Sequence, residues 1–245
     1  MLPILRVGLR VAGLILLFLA CLPPHLLSKW ILRRSRWPRR FLTAAAWIVG
    51  ARVRMTGDPI RPHTLLIANH VSWMDILVIS AATGCAFVSK DNLGHSLVHW
   101  MADQNDTLYI HRSKRSATAD QASAIAAALE RPQPLALFPE GTTGPGNQLL
   151  PFRSSLLAAV APAPPQVEVR PVAIDYGAAA EEIGWHGESG KDNVLRVLGR
   201  KGTLPTLVNV LPALELSADR KHLAHQAHER IAAALAASSS ARTGL

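Results

Sequence analysis

The chain has 245 residues, about half of them apolar, and a formal net charge of +9. That length allows one domain of ordinary size with an appendage. Two cysteines, Cys21 and Cys85, exclude a disulfide framework and a paired metal-ligand spacing, and they fit a reducing, cytosol-facing location. The charge is concentrated, because every basic residue from Arg6 to Arg54 precedes the first acid, Asp58. A basic end suits an anionic surface, either nucleic acid or membrane. The uncharged apolar run at residues 11–22 decides for a membrane surface and against nucleic acid.

Residues 1–52 form the basic, apolar, membrane-associated region. The run at 11–22 falls short of the roughly 20 residues that cross a bilayer, and Pro23-Pro24 ends it. Arg6 and Arg10 precede it, and Lys29, Arg33 and Arg34 follow it, so there is no positive-inside asymmetry. The expectation is a re-entrant or in-plane helical hairpin. Its second apolar arm is residues 41–50, and Trp30 and Trp37 sit at headgroup level. A single transmembrane helix is the main rival. A signal peptide shares the basic start and apolar core, but Phe18 fits poorly in a lipoprotein cleavage site at Cys21.

Residues 53–245 alternate strand-like and helix-like runs. Strands are expected at 53–56, 64–68, 86–89, 108–110, 135–138, 167–174 and 207–211, all rich in β-branched and apolar residues. Helices are expected at 72–82, 93–102, 117–129, 154–161 and 218–237. This alternation predicts an α/β domain with a mixed, largely parallel sheet flanked by helices. The proline-rich stretch 162–165 breaks helix from strand, and 238–245 reads as a frayed tail.

The most informative stretch is Asn69-His70-Val71-Ser72-Trp73-Met74-Asp75, between two apolar runs. Five helical steps would turn His70 and Asp75 away from each other. They meet only if His70 precedes a helix and Asp75 lies in its first turn. Ser72 is a good N-cap, with Asp75 in the place of a capping-box acid. Asp75 would then fix one imidazole tautomer and leave the other nitrogen as a base. Read alone, the stretch is equally an ordinary helix start. Two further features fall at strand ends, where ligands collect in α/β sheets. One is Tyr109-Ile110-His111-Arg112, whose guanidinium suits phosphate or carboxylate. The other is Phe138-Pro139-Glu140-Gly141-Thr142-Thr143, whose glycine permits close backbone approach and whose amides and hydroxyls can donate to an anion.

Asn69-His70-x4-Asp75, Ile110-x-Arg112, Phe138-Pro139-Glu140-Gly141-Thr142 and Arg170-Pro171-Val172 together resemble the four-block pattern of the glycerolipid acyltransferases. They are most similar to the bacterial 1-acylglycerol-3-phosphate acyltransferases. Order and spacing match over roughly residues 50–215, and Lys90, Leu93, Trp100 and Pro151-Phe152-Arg153 also fit. The resemblance implies transfer of a fatty acyl group from acyl-CoA or acyl carrier protein to the free hydroxyl of 1-acylglycerol-3-phosphate, giving phosphatidate. It implies His70 as general base and Asp75 as its orienter. Arg112 would hold the acceptor phosphate, Glu140, Gly141 and Thr142 would line the acceptor site, Arg153 would be a second cation, and Pro171 would line the acyl side. The setting it implies is the cytoplasmic face of the inner membrane.

The chemistry is consistent with these assignments. An alcohol needs a base at neutral pH, while a thioester is already activated, so no cofactor or metal is called for. His111 and the missing glycine before Arg112 depart from the pattern. Arg112 and Arg153 suit a carboxylate as well as a phosphate, so another acceptor, such as a lyso-ornithine lipid, stays open. A serine hydrolase lacks its Gly-x-Ser-x-Gly elbow. The pair His95 and His99 has no third metal ligand placed by spacing. A non-catalytic lipid carrier leaves His70, Asp75 and Glu140 without a reason. The stretch Trp185-His186-Gly187-Glu188, with the helix-like stretch after it, is a candidate lid or acceptor-side contact.

Overall fold

The computed structural model describes residues 2–90, 95–110 and 117–243. The elements run α1 (Leu2–Leu32), α2 (Trp37–Val49), β1 (Ala51–Gly57), β2 (Thr64–Ala68), α3 (Met74–Thr83), β3 (Ala86–Lys90), α4 (Ser96–Gln104), β4 (Leu108–Ile110), α5 (Ala117–Leu129) and β5 (Leu135–Leu137). A 3-10 helix (Ser154–Val160), β6 (Glu168–Asp175), α6 (Ala180–Ile183), α7 (Gly190–Gly199), β7 (Leu204–Val210) and α8 (Arg220–Thr243) complete the chain.

The sheet order is β1-β7-β6-β2-β5-β3-β4, and every pairing is parallel except the antiparallel β6–β7. This is the expected mixed, largely parallel sheet. Strand β2 lies at its centre and is buried throughout. Leu66 and Ala68 point into one apolar core with α2, α3 and α7, while Leu65 and Ile67 point into the other with α5, the 3-10 helix and α8. A strand covered on both faces reads as a continuous apolar run. Each such side chain contributes about 1.5–3 kcal/mol by burial.

The N-terminal region forms a helical pair, but its first arm does not stop at Pro23-Pro24. Helix α1 continues through both prolines to Leu32. Interior prolines remove backbone donors and cost a helix about 3 kcal/mol, so α1 must be held on both sides of them. Before them, the Arg10 guanidinium donates to the carbonyls of Val197, Leu198, Arg200 and Gly202 around the end of α7. After them, the buried His25 bonds Ser35 and Gln104. The other face of α1 exposes Leu5, Leu9, Leu16, Leu19 and Trp30. By length and composition alone α1 could cross a membrane.

Two more expectations are corrected. The stretch beginning at residue 238 is not a frayed tail, because α8 stays helical to Thr243 and Arg242 pairs with Asp175 at 2.5 Å. Regular α3 begins at Met74, two residues after Ser72. The reason lies in the way Asp75 gathers donors, described next.

Candidate active site

Strands β6, β2 and β5 are parallel neighbours, so the residues that follow them emerge at one edge of the sheet. His70 follows β2, Glu140 follows β5, and Tyr176 follows β6. His70 Nδ1 lies 2.8 Å from Asp75 Oδ2. The same oxygen accepts the amides of Val71 at 2.6 Å and Ser72 at 2.9 Å. These bonds wrap residues 70–73 tightly around the carboxylate and delay regular helix to Met74. Trp73, not Ser72, is thus the N-cap of α3, and the Ser72 Oγ accepts from the Met74 amide at 3.4 Å. The other carboxylate oxygen, Oδ1, accepts from the Tyr176 hydroxyl at 2.5 Å. Asp75 is fully buried. Four donors offset the desolvation that a buried carboxylate otherwise suffers.

The carboxylate holds the proton on His70 Nδ1, so the lone pair is on Nε2. Nε2 has no partner among the described residues. The imidazole stacks on Phe138 with centroids 4.2 Å apart, which fixes the ring plane. The loop itself is pinned from three directions. Asn69 brackets the backbone of Ile174, donating to its carbonyl at 3.0 Å and accepting from its amide at 2.8 Å. The His70 carbonyl takes the Gly144 amide, and the Val71 carbonyl takes the Trp185 amide. Glu140 accepts from the His70 amide at 2.7 Å and from the Leu150 amide at 3.1 Å. Burial pushes the Glu140 carboxyl up to about 7, against the pull of those two amides. Burial, with the Asp75 charge, raises Tyr176 well above its usual range.

A cavity of about 430 Å3 opens beside His70, bounded by Tyr176, residues 146–149 and the distal half of α8. Gly146 stands at its wall with φ of +92°, where an added Cβ would lie 2.2 Å from the Ala180 carbonyl oxygen. A second, almost wholly apolar cavity of about 250 Å3 lies between α1, α2, α3 and α4. Phe87 lines it and stacks, 6.4 Å between centroids, on the Phe138 that carries His70.

His70, Asp75 and Glu140 are thus brought together. Glu140 holds the loop through backbone amides and also borders the cavity. Gly141 adopts φ of +71° and turns the chain back on Phe138, and Thr142 is exposed. Arg153 is exposed and borders neither cavity. Pro171 is buried in mid-strand opposite Ile67 and does not border the apolar cavity. The fourth block instead leads into Ile174 and Tyr176, which hold the loop and the carboxylate. Arg112, His111 and Leu93, and the side chain of Lys90, lie outside the described residues. The Trp185 amide braces the loop at Val71, and Glu188 pairs with Arg196. His99 stacks on Tyr109 and faces Asp103. Tyr176 was missed by sequence reasoning. The available signal was its place just past the strand that pairs with β2.

The model of the acyltransferase family matches residues 52–175, half of the chain, and contains His70, Asp75, Glu140 and Asp175. The chain belongs to the acyltransferase family. A lyso-ornithine lipid O-acyltransferase from Rhizobium meliloti (strain 1021) is 33% identical over 246 residues, covering 92% of this chain and 84% of its own length. A 1-acyl-sn-glycerol-3-phosphate acyltransferase from Neisseria gonorrhoeae is 33% identical over 153 residues, covering 60% of this chain and 54% of its own. The acyltransferase fold is seen in the crystal structure of a 1-acyl-sn-glycerophosphate acyltransferase from Thermotoga maritima, with a TM-score of 0.71, 18% identity and 96% of each chain covered.

Proposed function

We propose that this acyltransferase moves a fatty acyl group from acyl-CoA or acyl carrier protein to the free hydroxyl of a lyso-ornithine lipid at a membrane surface. The observation that carries the chemistry is the 2.8 Å His70–Asp75 pair beside an open cavity. His70 Nε2 takes the hydroxyl proton as the oxygen attacks the thioester carbonyl. The carbon–sulfur bond then breaks, and the thiolate leaves with the proton returned through His70. Asp75 keeps the tautomer and stabilises the imidazolium. A positioned base of this kind typically contributes about 10²–10⁴-fold.

The acceptor is chosen on extent of similarity. The likeness to the Rhizobium protein runs through 92% of the chain. A second reading, 1-acylglycerol-3-phosphate as acceptor and phosphatidate as product, is favoured by the Neisseria relative over a shorter span. The apolar cavity between the hairpin and α4 suits an acyl chain. The exposed apolar face of α1, flanked by arginines, suits the anionic cytoplasmic leaflet, where both donors are found.

The test is acyl transfer by the full chain in detergent from both donors to both acceptors, with His70→Ala as control. Turnover on lyso-ornithine lipid that the substitution abolishes supports the reading. Preference for 1-acylglycerol-3-phosphate moves the acceptor to the second reading. Turnover indifferent to His70→Ala overturns the mechanism.

A further inference from the structure

Both candidate acceptors carry an anionic group, a phosphate in one and the carboxylate of N-acylated ornithine in the other. The cavity beside His70 must then meet an anion. Its charged or titratable lining groups are His70, Glu140, Asp175, Tyr176, Glu181 and Arg242. Arg242 is the only guanidinium or ammonium among the described residues there. It comes from the last turns of α8, beyond the stretch matched by the family model. Ala232, Ala236 and Ser239 lie on the same face of α8 at helical spacing and keep that wall low.

Arg242 is directed to the cavity by a specific contact. One guanidinium nitrogen, Nη1, bonds Asp175 Oδ2 at 2.5 Å, while Asp175 Oδ1 accepts the Gly177 amide at 2.8 Å. Asp175 directly precedes Tyr176, so the pair sits at the edge nearest the His70–Asp75–Tyr176 network. The Arg242 side chain remains 47% exposed, and a guanidinium has five donors in a planar fork. Its remaining donors can take a phosphate or carboxylate while one stays on Asp175.

We infer that Arg242 is a further acceptor-headgroup cation, beside the Arg112 that the resemblance implies: it binds the anionic group of the lysolipid and helps set the acceptor hydroxyl against His70. This rests on the acyl-transfer reading above. Asp175 holds one side of the guanidinium and its charge competes with the ligand, and an amide at this position keeps the hydrogen bond without that charge, so the two residues of one ion pair have opposite expected effects.

The experiment measures initial rates for the full chain in detergent, varying acceptor at saturating donor. The acceptors are lysophosphatidate, lyso-ornithine lipid and uncharged monoacylglycerol. Arg242→Gln raises the acceptor KM about tenfold or more for whichever anionic lipid is used, with the donor KM unchanged. Arg242→Lys restores part of the loss. Asp175→Asn leaves the acceptor KM unchanged or lowers it. Equal damage from Arg242→Gln and Asp175→Asn would make the pair a structural latch and overturn the inference. So would an unchanged KM in Arg242→Gln, or wild-type turnover confined to monoacylglycerol. Wild-type protein with no turnover on any acceptor would bring down the acyl-transfer reading as well.

Discussion

The Tyr176 hydroxyl donates to Asp75 Oδ1 across 2.5 Å, and both side chains are buried. The His70 imidazole lies on the opposite oxygen of the same carboxylate. Tyr176 is therefore a positioning residue that acts through Asp75, 101 positions earlier in the chain. Its hydrogen bond also draws electron density from the carboxylate that holds the imidazolium.

Tyr176→Phe removes that donor and leaves Asp75 Oδ1 buried and unpaired. The expected cost in stability is about 1–3 kcal/mol. The expected kinetic effect is a lower kcat with little change in either KM. A rise in both KM values alongside the fall in kcat would assign Tyr176 a packing role only.

Glu140 gives a pH dependence of stability. Burial raises its folded-state value to about 7, while an unfolded chain has about 4.3. Between these values the folded protein keeps a proton that the unfolded chain has released. The stabilisation is complete below the unfolded value and is lost as pH rises through about 7. Its full extent is on the order of 3 kcal/mol. Glu140→Gln cannot release that proton, so thermal unfolding in detergent between about pH 5 and pH 8 loses much of its downward slope. An unchanged slope would mean that the two amides on Glu140 keep it ionised in the folded state.

Arg10 ties the N-terminal helix to the end of α7. Its guanidinium donates to Leu198 at 2.8 Å and to three neighbouring carbonyls at the end of α7. Cations at a helix C-terminus interact favourably with its dipole. Arg10→Ala removes this contact without touching the exposed apolar face of α1. The expected result is a loss of about 1–3 kcal/mol with membrane association retained, read by thermal unfolding and vesicle flotation. Equal loss of both would show that the clamp also sets how α1 meets the bilayer.

The sheet and the dyad were legible because their signals are local. Residues 64–68 are a plain apolar run, and the five-residue spacing of His70 and Asp75 admits few geometries. What escaped depends on distant partners. Pro23-Pro24 reads as a stop unless Arg10 and His25 are known to hold the helix on either side. The end of α8 reads as a tail because its order comes from Asp175 in another strand. Ser72 reads as the N-cap, yet Trp73 takes that place, because Asp75 collects the Val71 and His70 donors as well as the Ser72 amide. Pro171 was placed by its motif, and only the register opposite Ile67 puts it inside the sheet. Tyr176 has no motif and is found only by knowing that β6 lies beside β2.

The apolar cavity gives the remaining prediction. Ile76 and Phe87 line its side toward the sheet, Phe18, Phe41, Trp100 and Ala102 line its body, and its border includes His25 and Gln104, which hydrogen-bond each other. An acyl chain there would run from the Phe138–Phe87 stack under His70 toward that polar pair. Ala102→Phe fills part of the space without adding a polar group. The expected outcome is a shift in donor preference toward shorter acyl chains, with the acceptor KM unchanged, measured by competition between donors of different length. Overpacking costs about 1–3 kcal/mol, so unfolding of the variant is followed in parallel. A stable, active variant with the wild-type length preference would place the acyl chain outside this cavity and leave the His70 chemistry intact.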